Sequence, residues 1–126
     1  MFKINMNKDG IDGLMRRYQW LILNLLWDSH KPLGSNTVYK YLQGLGVKIS
    51  RASVIFFLND LTKNMIAIRT SKTGKGGHAG RWKMTLKREA FPAYLLDRTI
   101  DIIQKTYPSA QVLDIVKPIV KRYYSR

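Results

Sequence analysis

A chain of 126 residues, 45% of them hydrophobic, suits one domain with a packed core. A chain of this size buries roughly two-thirds of its unfolded surface, so neither a disulfide nor a metal is needed to hold it together. With 22 Lys+Arg against 8 Asp+Glu the net charge is +14, which points to a polyanionic partner and away from an acidic or membrane-embedded role. The lack of cysteine excludes disulfides, Cys-ligated zinc and thiol chemistry, and fits a reducing compartment. The opening MFKINMNKDG has no apolar leader core, and the run Trp20–Trp27 is too short for a bilayer. The expected location is cytoplasmic, with no membrane association.

Residues 1–11 show no period and suit a flexible arm or a short edge strand. Asp12 is a plausible N-cap for a helix running to Ser29, with Leu14, Tyr18, Leu21, Ile22, Leu25 and Leu26 as its apolar stripe. Lys31–Leu33 can add a short strand. Ser35 or Asn36 is expected to cap the next helix, with Val38, Tyr41, Leu42 and Leu45 buried and Gly44 and Gly46 at its end. Ser50 then caps a third helix whose core residues, Val54, Phe57, Leu58 and Leu61, follow the i, i+3, i+4, i+7 spacing. Asn64 is expected to end it in the left-handed conformation.

Two strand-like segments follow. Ile66 and Ile68 alternate with Ala67 and Arg69, and Trp82, Met84 and Leu86 alternate with Arg81, Lys83 and Thr85. Between them lies the tip TSKTGKGGHAG. Residues 65–90 hold seven basic groups and one acidic group, the densest charge in the chain. A helix, a tight turn, a second helix and a basic hairpin make a winged helix-turn-helix, a mainly α fold with a small antiparallel β-wing.

Within it, Ser50, Arg51, Ser53, Phe56, Asn59 and Lys63 are the candidate DNA-binding residues of the recognition helix. Arg51 can pair with guanine, Asn59 with adenine and Ser53 with a base or phosphate, while Phe56 can meet a thymine methyl or pack internally. Lys72, Lys75, His78 and Arg81 are the candidates on the wing, where glycine lets the backbone come close to a phosphate.

After Leu86 the period returns to helical. Pro92 falls in the first turn, Pro108 ends that helix, Ser109 can cap another, and Pro118 should kink it. Leu96, Ile100, Ile103 and Tyr107 on one helix, with Val112, Val116 and Ile119 on the next, form an apolar surface larger than a small winged domain can cover. A homodimer interface accounts for it, and so does folding back on the first helix of a monomer. The expected organisation is therefore a DNA-binding winged helix over 1–86 and a C-terminal helical dimerisation element over 87–126.

The run Ile49-Ser50-Arg51-Ala52-Ser53-Val54-Ile55-Phe56-Phe57-Leu58-Asn59-Asp60-Leu61, with Thr73-Gly74-Lys75-Gly76-Gly77-His78 behind it, resembles the penicillinase-repressor-like (methicillin-resistance-repressor-type) winged-helix regulators, especially archaeal members. The resemblance spans roughly 13–107. It implies a homodimeric transcriptional repressor on a palindromic operator, with Ser50, Arg51, Ser53 and Asn59 on the DNA-facing helix and Lys75 and His78 on the wing. The cysteines of the copper-responsive branch are absent, and so is a cleavage signal of the antibiotic-responsive branch, so no release signal or effector carries over.

Two other readings use the same residues. A +14 chain can bind nucleic acid nonspecifically as an architectural protein, and a winged helix can dock a protein within a transcription or replication complex. No nucleophile–base pair and no phosphate-loop spacing is present, and His30 and His78 lack ligand-like neighbours. Neither an enzyme, a cofactor nor a metal site is expected.

Overall fold

The computed structural model describes residues 1–74, 77–108 and 111–125, and side chains outside 72–79. Two compact units divide the chain, Met1–Arg88 and Glu89–Arg126. The first contains α1 (Ile11–Leu14), α2 (Arg17–Asp28), β1 (Leu33–Gly34), α3 (Ser35–Gly44), α4 (Arg51–Lys63), β2 (Ala67–Gly74) and β3 (Gly77–Met84). The second contains α5 (Phe91–Thr106) and α6 (Val112–Tyr124), after a 3-10 turn at Arg88–Ala90. The strands form one antiparallel sheet in the order β1-β3-β2.

The core of the first unit is where three helical stripes and one sheet face meet. Ile22, Leu23 and Leu26 of α2, Val38 and Leu42 of α3, and Val54, Phe57, Leu58 and Leu61 of α4 are buried with Ile66, Ala67 and Trp82. Phe57 receives the ring edges of Tyr18 and Phe2, both 6.0 Å away. The first residues therefore form no strand. They fold back onto α4, with the Asn5 N–H donating to the Gly13 carbonyl at 2.7 Å. Gly13 is required for this approach, because a Cβ there would lie 2.6 Å from the Lys8 carbonyl oxygen.

The expected single helix from Asp12 to Ser29 is two helices. Met15 is extended (φ -159, ψ 170) and buried, taking the core place expected of Leu14, which is exposed. The longer helix restarts after Arg16, whose N–H donates to the Gln19 side-chain oxygen at 3.0 Å. Asp12 caps nothing. It pairs with Arg17 at 3.0 Å. Gln19, expected off the stripe, is buried because both ends of its amide are satisfied, the second by the Met1 carbonyl.

Gly34 occupies the N-cap position of α3, and neither Ser35 nor Asn36 caps it. Tyr41 and Leu45, expected in its buried face, are exposed because two residues of that face, Val38 and Leu42, already fill the contact. Both α3 and α4 end in the same paired hydrogen bonds. After α3, Val47 N–H reaches Leu42 O and Gly46 N–H reaches Gln43 O. After α4, Ile66 N–H reaches Leu61 O and Met65 N–H reaches Thr62 O. This motif needs a left-handed residue just past the cap. Gly46 (φ 77) supplies it in the first case and Met65 (φ 63), not Asn64, in the second. The shift by one residue lets Ile66 land on Leu61, and both are fully buried.

That shift also flips β2. Its pairing sets Ala67 opposite Met84, Ile68 opposite Lys83 and Arg69 opposite Trp82. Successive strand residues point to opposite faces, so Ala67 and Arg69 share the inner face with Trp82. Ile68, expected inside, is 49% exposed on the outer face. The Arg69 guanidinium lies 5.4 Å from the Trp82 ring centre and fills the space over Gly80, where any Cβ would collide with it. The inner face thus ends in an arginine whose charge rests on an aromatic surface.

The edge of this unit is secured by Trp27, whose Nε1 donates to the Leu86 carbonyl at 2.8 Å, and by Arg88, which pairs with Asp28 at 2.7 Å. In the second unit Pro92 sits in the first turn of α5, where its missing N–H breaks no bond. Helix α6 follows Gln111 at its N-cap position and carries Pro118 in its interior. Ser109, expected as its cap, lies outside the described residues. No helix of the described residues is long and apolar enough to cross a membrane.

Candidate nucleic-acid interface

Helix α4 is built to leave one whole face free. Its buried residues Val54, Phe57, Leu58 and Leu61 leave Ala52, Phe56, Asn59 and Lys63 exposed at i, i+4, i+7 and i+11 on the opposite side. Those four positions make a straight stripe about 16 Å long, which suits a groove of roughly 12 Å width. Phe56 is 67% exposed at the middle of it. The helix starts firmly. The Ser50 hydroxyl oxygen accepts the Ser53 N–H at 3.1 Å, and the two hydroxyls are 2.9 Å apart. Ser50 and Ser53 are therefore engaged with each other at the cap.

Arg51 stands on the flank of α4 that faces α3. Its guanidinium donates to the Asn36 side-chain oxygen and lies 5.4 Å from the Tyr39 ring centre. Tyr39 is itself held by the Gln43 amide, 3.1 Å from its hydroxyl. The sequence marks Asn36 only as a cap candidate and gives Tyr39 no signal, because their contact with Arg51 follows from the packing of α3 against α4. Arg51 is exposed despite these contacts and retains further N–H donors.

On the wing, Arg81 is opposite Thr70 and Gly34, on the outer sheet face with Lys83 and Ile68. Lys72 and His78 lie on β2 and β3, with side chains outside the described set, and Lys75 lies outside the described residues. The candidates thus fall on three surfaces: the α4 stripe with Phe56, Asn59 and Lys63; the α3–α4 contact with Arg51; and the outer sheet face with Arg81. Lys83 was not among the expected residues, although the alternation around Trp82 carries its signal.

Asp60 is the one acidic residue of α4. It lines a cavity of about 200 Å³ with Met1, Lys3, Arg16, Tyr18 and Gln19, on the side of the N-terminal arm, where two cations share its surroundings. Among the described residues no group of three or more His, Cys, Asp or Glu could hold a metal ion.

In the second unit, Leu96 on α5, Tyr107 just past its end and Ile119 on α6 are exposed, while Ile100, Ile103, Val112 and Val116 are half-buried. Leu113, Ile115, Val120, Tyr123 and Tyr124 add further exposed apolar surface. On the opposite side of α5, Asp101 receives Arg98 at 3.1 Å and Lys105 at 3.0 Å.

A helix-turn-helix followed by a hairpin, with a short strand from the first helix connection joined to it, is the winged helix-turn-helix class of fold. No protein-family model matches the chain and no curated protein matches it, so the penicillinase-repressor resemblance rests on its motif residues alone. One match among solved structures is the ferric uptake regulator (Fur) of Vibrio cholerae, described for rearrangement of its DNA-binding domains. It is 21% identical over 59% of this chain and 55% of that one, with a TM-score of 0.46. The chain spans about half the length of that regulator.

Proposed function

We propose that the protein is a sequence-specific double-stranded-DNA-binding transcription regulator. It acts in the cytoplasm as a homodimeric repressor on a palindromic operator, with no catalytic activity. The observation that carries this reading is the α4 stripe: a capped helix exposes a complete face, ending in Lys63, within a chain of net charge +14. Lys63, Arg51, Arg81 and the wing residues Lys72, Lys75 and His78 supply phosphate contacts, and the stripe supplies base contacts. The exposed apolar residues of α5 and α6, from Leu96 to Ile119, meet their equals in a second copy. Twofold symmetry then offers two recognition helices to half-sites about 34 Å apart.

The test is a comparison of selected and random duplexes at physiological salt. A specific regulator prefers its site by about a thousandfold or more. Lys63→Ala is expected to weaken all duplexes alike and to reduce the slope of log affinity against log salt by about 0.9, one phosphate. A selected-to-random ratio near one would favour the architectural reading, which the charge alone also supports. Absence of any duplex binding at low salt would favour a protein-docking winged helix.

A further inference from the structure

We infer that the outward stripe of α4 reads thymine through its 5-methyl group, with Phe56 and Ala52 as the specificity-determining residues and Asn59 pairing with a neighbouring adenine. The inference rests on the DNA-binding reading above and names what that face recognises: an A/T-rich half-site.

Three observations lead there. Phe56 is 67% exposed, and the fold makes no use of it, since the adjacent Phe57 is the aromatic residue that α4 contributes to the core. Ala52, one turn earlier on the same stripe, is also exposed and apolar. The stripe has a single neutral hydrogen-bonding side chain, Asn59, and ends at Lys63. Arg51, the guanine reader expected from the sequence, is roughly a hundred degrees round the helix from this line and is tied to Asn36 and Tyr39.

The chemistry of the major groove then decides the partner. A guanine presents acceptors, which need Arg or Lys donors, and a cytosine presents an amino group, which needs an acceptor. Thymine alone presents an apolar group, and Asn suits adenine by donating to N7 and accepting from N6. An aromatic ring and a methyl, four residues apart on the exposed side, therefore match two thymine methyls more closely than any pattern of polar base edges. An apolar protein surface is the other class of partner for a phenyl ring. It is disfavoured here because the ring lies on the surface of a chain of net charge +14, which suits a polyanion.

The experiment alters the DNA rather than the protein fold. Bound duplexes are selected from random sequence, and each thymine of the preferred half-site is replaced by deoxyuridine, which removes the methyl and leaves base pairing unchanged. Wild-type protein is expected to lose about fourfold in affinity for each contacted methyl, the equivalent of one buried carbon. Replacing a cytosine at the same position by 5-methylcytosine is expected to raise affinity by a similar factor. Phe56→Ala is expected to bind the thymine duplex more weakly and to be indifferent to deoxyuridine at its contact position. Its thermal midpoint should stay near wild type, because the side chain is mostly exposed. Equal wild-type binding of thymine and deoxyuridine duplexes, with the preference over random sequence retained, overturns the methyl inference and leaves the regulator reading standing. Loss of any preference over random duplex overturns both.

Discussion

At the scale of single residues, the candidate interface depends on side chains that hold one another in place. Ser50 both caps α4 and receives the Ser53 N–H, so Ser50→Ala should cost about 1 kcal/mol, measured by thermal or denaturant unfolding. Arg51 is clamped between a hydrogen bond to Asn36 and the face of Tyr39. Its aromatic contact is at the surface, where such pairs contribute roughly 0.5–1 kcal/mol. In a double-mutant cycle, Arg51→Ala and Tyr39→Leu should be coupled by an amount of that order, and strictly additive losses would show that the stacking contributes nothing. The orientation of Arg51 shows why a residue type is not a role. The sequence places an arginine in the first turn of the recognition helix, but whether it points at the groove or at the preceding helix depends on Asn36 and Tyr39.

Among the elements, the boundary between α4 and β2 has the widest consequences. Because Met65 adopts the left-handed conformation, Ile66 seals the helix end and the strand begins at Ala67, one residue out of step with the expected alternation. Met65 is 83% exposed, so its side chain gives back little packing in return for its strained backbone. Met65→Gly is therefore expected to stabilise the domain by about 0.5–1 kcal/mol, seen as a rise in unfolding midpoint. Gly80→Ala tests the opposite end of the sheet. It should displace Arg69 from its place over Trp82 and destabilise the domain, while Ser71→Ala, on the paired position, should be close to neutral. Helix spacing in α4 predicted all four of its core residues, because an amphipathic helix has only one way to bury its apolar stripe. Strand alternation was less reliable, because a one-residue slip reverses every side chain.

For the whole molecule, the proposal joins two units, one with a polyanion-facing surface and one with an uncovered apolar surface. If α5 and α6 pair with a second copy, Leu96→Glu or Ile119→Glu should convert dimer to monomer in sedimentation or light scattering. Each should also lower operator affinity by far more than it lowers binding to a single half-site, since two linked half-sites reinforce one another. An unchanged oligomeric state in both variants would remove these helices from the proposed interface. The +14 charge predicts steep salt dependence whether or not the binding is specific, so specificity has to be judged at fixed salt.

From the sequence alone came the class of the fold, the core of α4, the Ser50 cap, the presence of a hairpin and the basic charge around it. These follow from local periods, capping chemistry and composition, which act over a few residues. The break at Met15, the burial of Gln19, the left-handed Met65, the inner-face position of Arg69 and the clamp on Arg51 were decided only in the folded chain. Each depends on a partner distant in sequence or on a one-residue choice of register, and such choices are settled by which arrangement buries the most apolar surface while keeping the backbone hydrogen bonds.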